Sequence, residues 1–210
     1  MSHPVNAVLL DVEGTTSSIS FVHEEMFPYA RRHLRDYLQR NWDEPSLRST
    51  LEHLAEDAGA ANATLWLADL PIVAQQQRVV EVVEQWMDQD RKATGLKQLQ
   101  GQIWRAGFES QQLVAHVWPD VPPVLQQWRQ AGFDIRIYSS GSIAAQKLFF
   151  GHTEFGDLLD CFSGHYDTTS GGKKEVQSYR NIAADWQIEP SQIVFVSDVV
   201  EELRAAAEAG

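Results

Sequence analysis

Basic side chains are scarce in this sequence. Its 210 residues carry 17 Lys and Arg against 29 Asp and Glu, a net charge of −12. A protein that grips a nucleic-acid backbone needs a basic face to meet phosphates, so that class is set aside. There is one cysteine, Cys161. A single thiol closes no internal disulfide, which suits a reducing compartment. Cys161 reads as a small buried residue on a strand. Long apolar runs are also lacking. None nears the roughly 18 residues that a membrane span needs, and "MSHPVNAVLLD" has neither the basic start nor the apolar length of a secretory leader. The expectation is a soluble cytoplasmic protein with no membrane or nucleic-acid partner. The HExxH zinc pattern is absent too: Phe27 stands four places after His23, where a second His would be needed.

What is present is apolar residues, at 43%, enough for one large domain or two small ones. "AVLL", residues 7–10, is too short for a helix and apolar throughout, as in a strand covered on both faces. From residue 20 to about 117 the periodicity turns helical. In "PIVAQQQRVVEVVEQWMDQDRK" the residues Ile72, Val73, Val79, Val80, Val83, Trp86 and Met87 form one stripe. "FPYARRHLRDYLQRNW", "PSLRSTLEHLAEDAG" (with Pro45 at its first turn) and "TGLKQLQGQIWRAGF" read as further helices, the last weakened by Gly101. "AGAANATLWLADLP" reads as a loop. Trp66, Trp86, Trp104 and Trp128 read as core or domain-interface residues.

After residue 118, strands and helices alternate. The strands are "FDIRIY", part of "LLDCFSGHY", and "QIVFV"; the helices are "DVPPVLQQWRQAG", "SIAAQKLFFGH", "EVQSYRNIAADW" and "VVEELRAAAEAG". Such alternation makes βαβ units and a parallel sheet. The expected fold is α/β: a Rossmann-like parallel sheet core, residues 1–18 and 118–210, with an all-helical cap, residues 19–117, inserted after the first strand.

Three of these strands end in polar clusters: Asp11-Val12-Glu13, Ser139-Ser140-Gly141-Ser142, and Ser197-Asp198. The carboxyl ends of parallel strands share one edge, where ligands bind. Asp11, Glu13, Ser139, Ser140 and Asp198 are therefore expected to converge. Converging carboxylates repel unless a cation sits among them, and an all-oxygen set suits Mg²⁺. Ser139, Ser140 and the Gly141 amide are donors suited to phosphate oxygens. Lys173 or Lys174 could reach the same edge through a flexible Gly171-Gly172. In outline this is a phosphoryl-transfer site. Asp11 attacks phosphorus, and Glu13 protonates the leaving oxygen, then deprotonates the hydrolytic water.

"DVEGT", "YSSGS", a lysine of "GGKKE" and "FVSDVVEE" resemble, in order, the four motifs of the haloacid-dehalogenase-like phosphatases. The helical insertion after the first motif also fits that superfamily's cap. "LLDVEGTTSSISFVHEEMFPYA", "DRKATGLKQLQGQIWRAGF" and "IYSSGSIAAQKLFFGHT" resemble the enolase-phosphatases of methionine salvage over nearly the whole chain. The resemblance implies enolisation of 2,3-diketo-5-methylthiopentyl 1-phosphate, then its dephosphorylation to an acireductone. It also implies one Mg²⁺ and a monomer. By position it implies Asp11 as nucleophile and metal ligand, Glu13 as acid/base with its carbonyl on the metal, and Asp198 as the remaining ligand. Ser139 and Ser140 are implied to bind phosphate or substrate. Counting back from "SYR" favours Lys173 over Lys174, and Glu202 is implied to support the site from behind. Lys97 and Arg105 are candidates for facing the substrate, and Phe21 for lining an apolar pocket. That family continues into another strand, so the sheet is expected to lack a C-terminal strand, leaving an exposed edge.

Overall fold

The computed structural model describes residues 5–210. Residues 1–4, the start of the segment read as lacking a leader, lie outside the described residues. Strand β1 is Ala7–Leu10, and its four side chains are all buried, as an apolar run without alternation requires. A π-helical turn, Phe21–Met26, leads into α1, Phe27–Asn41. Then come α2, Pro45–Asp57; α3, Ala63–Trp66; α4, Ile72–Asp88; and α5, Thr94–Glu109. The remaining elements are α6, Val121–Gln130; β2, Asp134–Tyr138; α7, Ile143–Gly151; β3, Gly164–Tyr166; α8, Val176–Trp186; β4, Ile193–Val196; and α9, Val200–Ala209.

The chain forms two compact units. One holds the residues up to Val22 together with Val114–Gly210; the other is His23–Leu113. In the first, four parallel strands run in the order β3-β2-β1-β4, with Leu9 opposite Arg136 on one side and Phe195 on the other. Ala7, Leu9, Tyr138, Tyr166, Tyr179, Ile182 and Trp186 make one core cluster between the sheet and α8. β4 is an edge strand, and Val194 on it is 43% exposed.

The second unit is helical. Leu34, Leu38, Leu47, Leu54, Val79, Val83, Leu99 and Ile103 fill its interior. α5 runs through Gly101 unbroken. Of the stripe on α4, Val79, Val80, Val83 and Trp86 are buried, but Ile72 and Val73 are exposed. They sit in the first turn of α4. The small-residue segment is not all loop: Asn62 Oδ1 accepts the Leu65 N–H and caps the single turn of α3. Trp86 is buried, whereas Trp66, Trp104 and Trp128 are half-buried; Trp104 Nε1 donates to Met26 O at 2.8 Å. Cys161 is half-buried at the end of a 3₁₀ turn, Leu159–Cys161, and not on a strand; β3 starts three residues later.

Leu9→Ala removes a side chain buried between β1 and α8. It should lower stability by about 3 kcal/mol, whereas Val194→Ala on the edge strand should cost under ~1 kcal/mol. Urea unfolding of both variants checks this; equal losses would place Leu9 outside the core.

Candidate active site

Asp11 is the first residue past β1, and its amide extends the ladder to Val196 O at 3.0 Å. Its side chain is 1% exposed. Three groups satisfy it: the Val12 N–H on Oδ1 at 2.7 Å, Lys173 Nζ on Oδ1 at 2.5 Å, and Ser197 Oγ on Oδ2 at 3.2 Å. Burial pushes the carboxyl up to about 6, and the attraction of Lys173 only partly offsets that cost. At neutral pH it is ionised.

The turn after Asp11 is tight. The amides of Thr15, Thr16 and Ser17 all point at Val12 O, at 3.0–3.2 Å. Gly14 sits at φ +84, where a residue with a side chain is strained, and a Cβ there would lie 2.3 Å from Asp198 Oδ2. The hydroxyl run satisfies backbone groups, two of them local and one at Asp198. Thr16 Oγ1 donates to Asp11 O, Thr15 Oγ1 accepts the Asp198 N–H, and Ser18 Oγ accepts the Phe21 N–H. Ser18 N–H points at His116 Nδ1, which is therefore unprotonated. Phe21 is buried, edge-on to Phe149 and stacked on His116, so its ring is part of the packing of the α/β unit.

Glu13, two residues on, is half-buried. Ser139 Oγ lies 3.1 and 3.2 Å from its two carboxylate oxygens. Gly141 N–H donates to Ser139 Oγ at 3.0 Å. The Ser139 hydroxyl and the Gly141 amide, expected as free donors, are thus already engaged in orienting Glu13. Ser140 is exposed beside them.

Lys173 is 11% exposed at its side chain and makes a second ion pair with Glu202 Oε2, at 2.8 Å. Burial pulls its ammonium down, but Asp11 and Glu202 together more than compensate and hold it above the ordinary lysine range. Lys174 is exposed. Glu202, buried at the start of α9, lies 3.0 Å from Ser197 Oγ, whose single proton is shared between Glu202 and Asp11. Asp11, Lys173, Glu202 and Ser197 therefore close a four-membered ring of contacts, with Val199 N–H donating to Ser197 Oγ. Lys97 and Arg105 lie exposed on α5, Arg105 paired with Glu109.

Whether these residues suit a dication can be tested on their oxygens. The Glu13 carboxylate is turned to Ser139, and among the described residues no group of three or more His, Cys, Asp or Glu side chains could hold a metal. Two carboxylates, Asp11 and the exposed Asp198, remain, with the Glu13 carbonyl, which receives no hydrogen bond among the described residues. A hard set of this kind, completed by water, fits Mg²⁺. Of the four carboxylates Asp11, Glu13, Asp198 and Glu202, Lys173 pairs with Asp11 and Glu202, and among the described residues Glu13 and Asp198 make no ion pair.

Two supporting residues carried no sequence signal of their own. Gln146, buried on α7, donates from Nε2 to Gly141 O and to Tyr166 O, both at 2.8 Å. Its oxygen faces His165 Nδ1 at 3.1 Å, which fixes that tautomer as the protonated one. Burial, aided by Lys147, drops His165 to about 4, so it is neutral. Ser197 was legible only as the neighbour of Asp198. The chain His165, Gln146, Gly141, Ser139, Glu13 is continuous in hydrogen bonds.

Two tests follow from this geometry. Gln146→Leu takes the donor from Gly141 O and one of two donors from Tyr166 O, whose other is the Ser139 N–H; a stability loss of about 2 kcal/mol is expected by urea unfolding. For Asp11 the sign is set by its folded value of about 6 against an ordinary 3.8. Between those pH values the folded state holds more protons than the unfolded one. Stability from this group is complete below about pH 4 and is lost as pH rises through 6. Asp11→Asn does not ionise. In EDTA its stability relative to wild type should therefore climb by up to roughly 3 kcal/mol from pH 4 to pH 7; a flat difference would contradict the assignment.

Known proteins share this chain's sequence and fold. A model of the haloacid dehalogenase-like hydrolase family matches residues 5–210. The protein named enolase-phosphatase E1 from Pseudomonas fluorescens is 46% identical over 98% of this chain and 86% of its own length. Its namesake from Alcanivorax borkumensis is 44% identical over 98% of this chain and 86% of its own. Among solved structures, the UTR4 protein of Saccharomyces cerevisiae superposes with a TM-score of 0.80 at 32% identity, covering 98% of this chain and 87% of that one. CbbY from Rhodobacter sphaeroides, at 17% identity and a TM-score of 0.52, covers 98% of this chain and 83% of its own and shares the fold alone. Since the family match spans every described residue and the relatives cover 98% of the chain, the chain belongs to the haloacid dehalogenase-like hydrolases, alongside the proteins named enolase-phosphatase E1.

Proposed function

We propose that this chain is a bifunctional enolase-phosphatase. It converts 2,3-diketo-5-methylthiopentyl 1-phosphate to the acireductone 1,2-dihydroxy-3-keto-5-methylthiopentene and phosphate, in methionine salvage. The observation that carries the phosphatase half is the buried Asp11 carboxylate paired with Lys173 at 2.5 Å, with Glu13 held by Ser139 on the adjoining turn. The substrate comes from the 44–46% identity to proteins named enolase-phosphatase E1.

Phosphate-monoester hydrolysis is among the slowest uncatalysed reactions, needing accelerations up to ~10²¹, so several groups must act together. Asp11 is ionised at neutral pH and attacks phosphorus, giving an aspartyl-phosphate and breaking the bond to the leaving oxygen. Glu13 gives that oxygen its proton. It then takes a proton from the water that cleaves the aspartyl-phosphate, and so returns to its starting state. Lys173 sets a fixed positive charge beside the transferring group. Ser140 is the exposed hydroxyl available to the substrate, while Ser139 and Gly141 act by keeping Glu13 in place. Asp11, Asp198 and the Glu13 carbonyl would hold one Mg²⁺, which when bound supplies further positive charge against the phosphoryl oxygens. The working form is proposed to be a cytoplasmic monomer. No helix among the described residues is long and apolar enough to cross a membrane.

The test follows phosphate release and the ultraviolet absorbance of the enediol together, with Mg²⁺ and the phosphorylated diketone. Both signals should appear, and Asp11→Asn should abolish phosphate release. Glu13→Gln should lower the hydrolytic kcat by about 10²- to 10⁴-fold. Phosphate without enediol would instead identify a phosphatase for another small phosphorylated metabolite. Neither signal from folded protein would refute the proposal.

A further inference from the structure

The lysine-bearing segment was expected to reach the site through a flexible Gly171-Gly172; in the structure it is pinned. Four consecutive carbonyls, from Ser170 to Lys173, each accept a side-chain donor. Asn181 Nδ2 donates to Ser170 O at 3.3 Å, and Tyr138 Oη to Gly171 O at 2.9 Å. Ser178 Oγ donates to Gly172 O at 2.8 Å, and Tyr179 Oη to Lys173 O at 2.5 Å. The three hydroxyl donors are buried, and the two tyrosine rings meet edge-to-face at 5.6 Å. Gly171 is at φ +123, and a Cβ on it would fall 2.1 Å from Ser178 Oγ, so the chain can pass this close to α8 only as glycine. Burial holds both phenols above their ordinary range, so they remain donors.

A lysine side chain has four rotatable bonds, so its ammonium is placed no better than its own backbone. Tyr138 is the residue before Ser139 on β2, and Tyr179 and Ser178 lie on α8. The clamp thus ties the lysine loop to the strand that leads to Ser139, which holds Glu13, and to the helix packed on the sheet. We propose that Tyr138, Ser178 and Tyr179 are positioning residues. They fix the backbone of Lys173 so that its ammonium meets Asp11 and Glu202 together. This rests on the reading of Lys173 as the charge that faces the transferring phosphoryl group.

The experiment uses the full chain with Tyr179→Phe, and Tyr138→Phe as a second variant should the first fail to fold. Circular dichroism confirms folding. Loss of the hydroxyl should lower kcat for phosphate release about tenfold while KM moves less than about twofold, because misplacing a group by ~1 Å can cost up to ~10²-fold. In a Lys173→Met background the same substitution should change kcat less than about twofold, since neighbours acting through one group are not additive. Equal losses in both backgrounds would overturn the proposal. A second readout needs no turnover: acetic anhydride labelling, read by mass spectrometry as Lys173 against Lys174. Tyr179→Phe should raise that ratio at least about fivefold; an unchanged ratio overturns the clamp. If wild type releases no phosphate, the functional reading fails, while labelling still decides the clamp.

Discussion

The ion pair between Asp11 and Lys173 is the contact on which the rest of the site depends. A carboxylate that is 1% exposed pays a large desolvation penalty, and Asp11 is held near 6 by that penalty even with Lys173 at 2.5 Å. The fold supplies what the carboxylate needs from three separate places in the chain. β1 brings Asp11 to the sheet edge, the clamped loop before α8 brings the ammonium, and α9 brings Glu202 to share it. Ser197, at the end of β4, bridges the two carboxylates.

The two carboxylates of the first motif lie in different surroundings, which suits them to the two different roles proposed. Asp11 is buried and ion-paired; Glu13 is half-buried and held by one hydroxyl. A nucleophile profits from rigid placement, whereas an acid/base needs reach to the leaving oxygen and to water. The Gly14 turn makes the difference: it lets the chain reverse beneath Asp198, so that Glu13 leaves the strand direction at once. The residues around Glu13 act in series, from His165 through Gln146, Gly141 and Ser139.

Much of the fold was legible because its signals are local. The unbroken apolar run of β1, the alternation of strands and helices after residue 118, and the stripe Val79, Val80, Val83, Trp86 each follow from a period of burial that sequence displays directly. Where the reading strayed, the deciding contact lay elsewhere in the chain. Ile72 and Val73 carry the helical period but stay exposed at the start of α4. The turn of α3 depends on one Asn62 cap. Cys161 is apolar enough for a strand, but the strand begins only at Gly164. Two adjacent glycines suggest flexibility, yet donors from β2 and α8 hold their carbonyls.

The sequence by itself determined the chemical inventory: Asp11 and Glu13 after an apolar strand, a serine-glycine turn after a second, Asp198 after a third, and two lysines after two glycines. The rule that parallel strands point the same way sufficed to gather the strand-end residues, because it depends only on chain direction. Tertiary structure decided the rest. It paired Lys173 with Asp11 and left Lys174 exposed, engaged Ser139 and Gly141 with Glu13, and closed the ring through Ser197 and Glu202. The physical reason is that hydrogen bonds and ion pairs act over about 3 Å, and residues 126 or 186 positions apart meet at that distance only once the chain is folded.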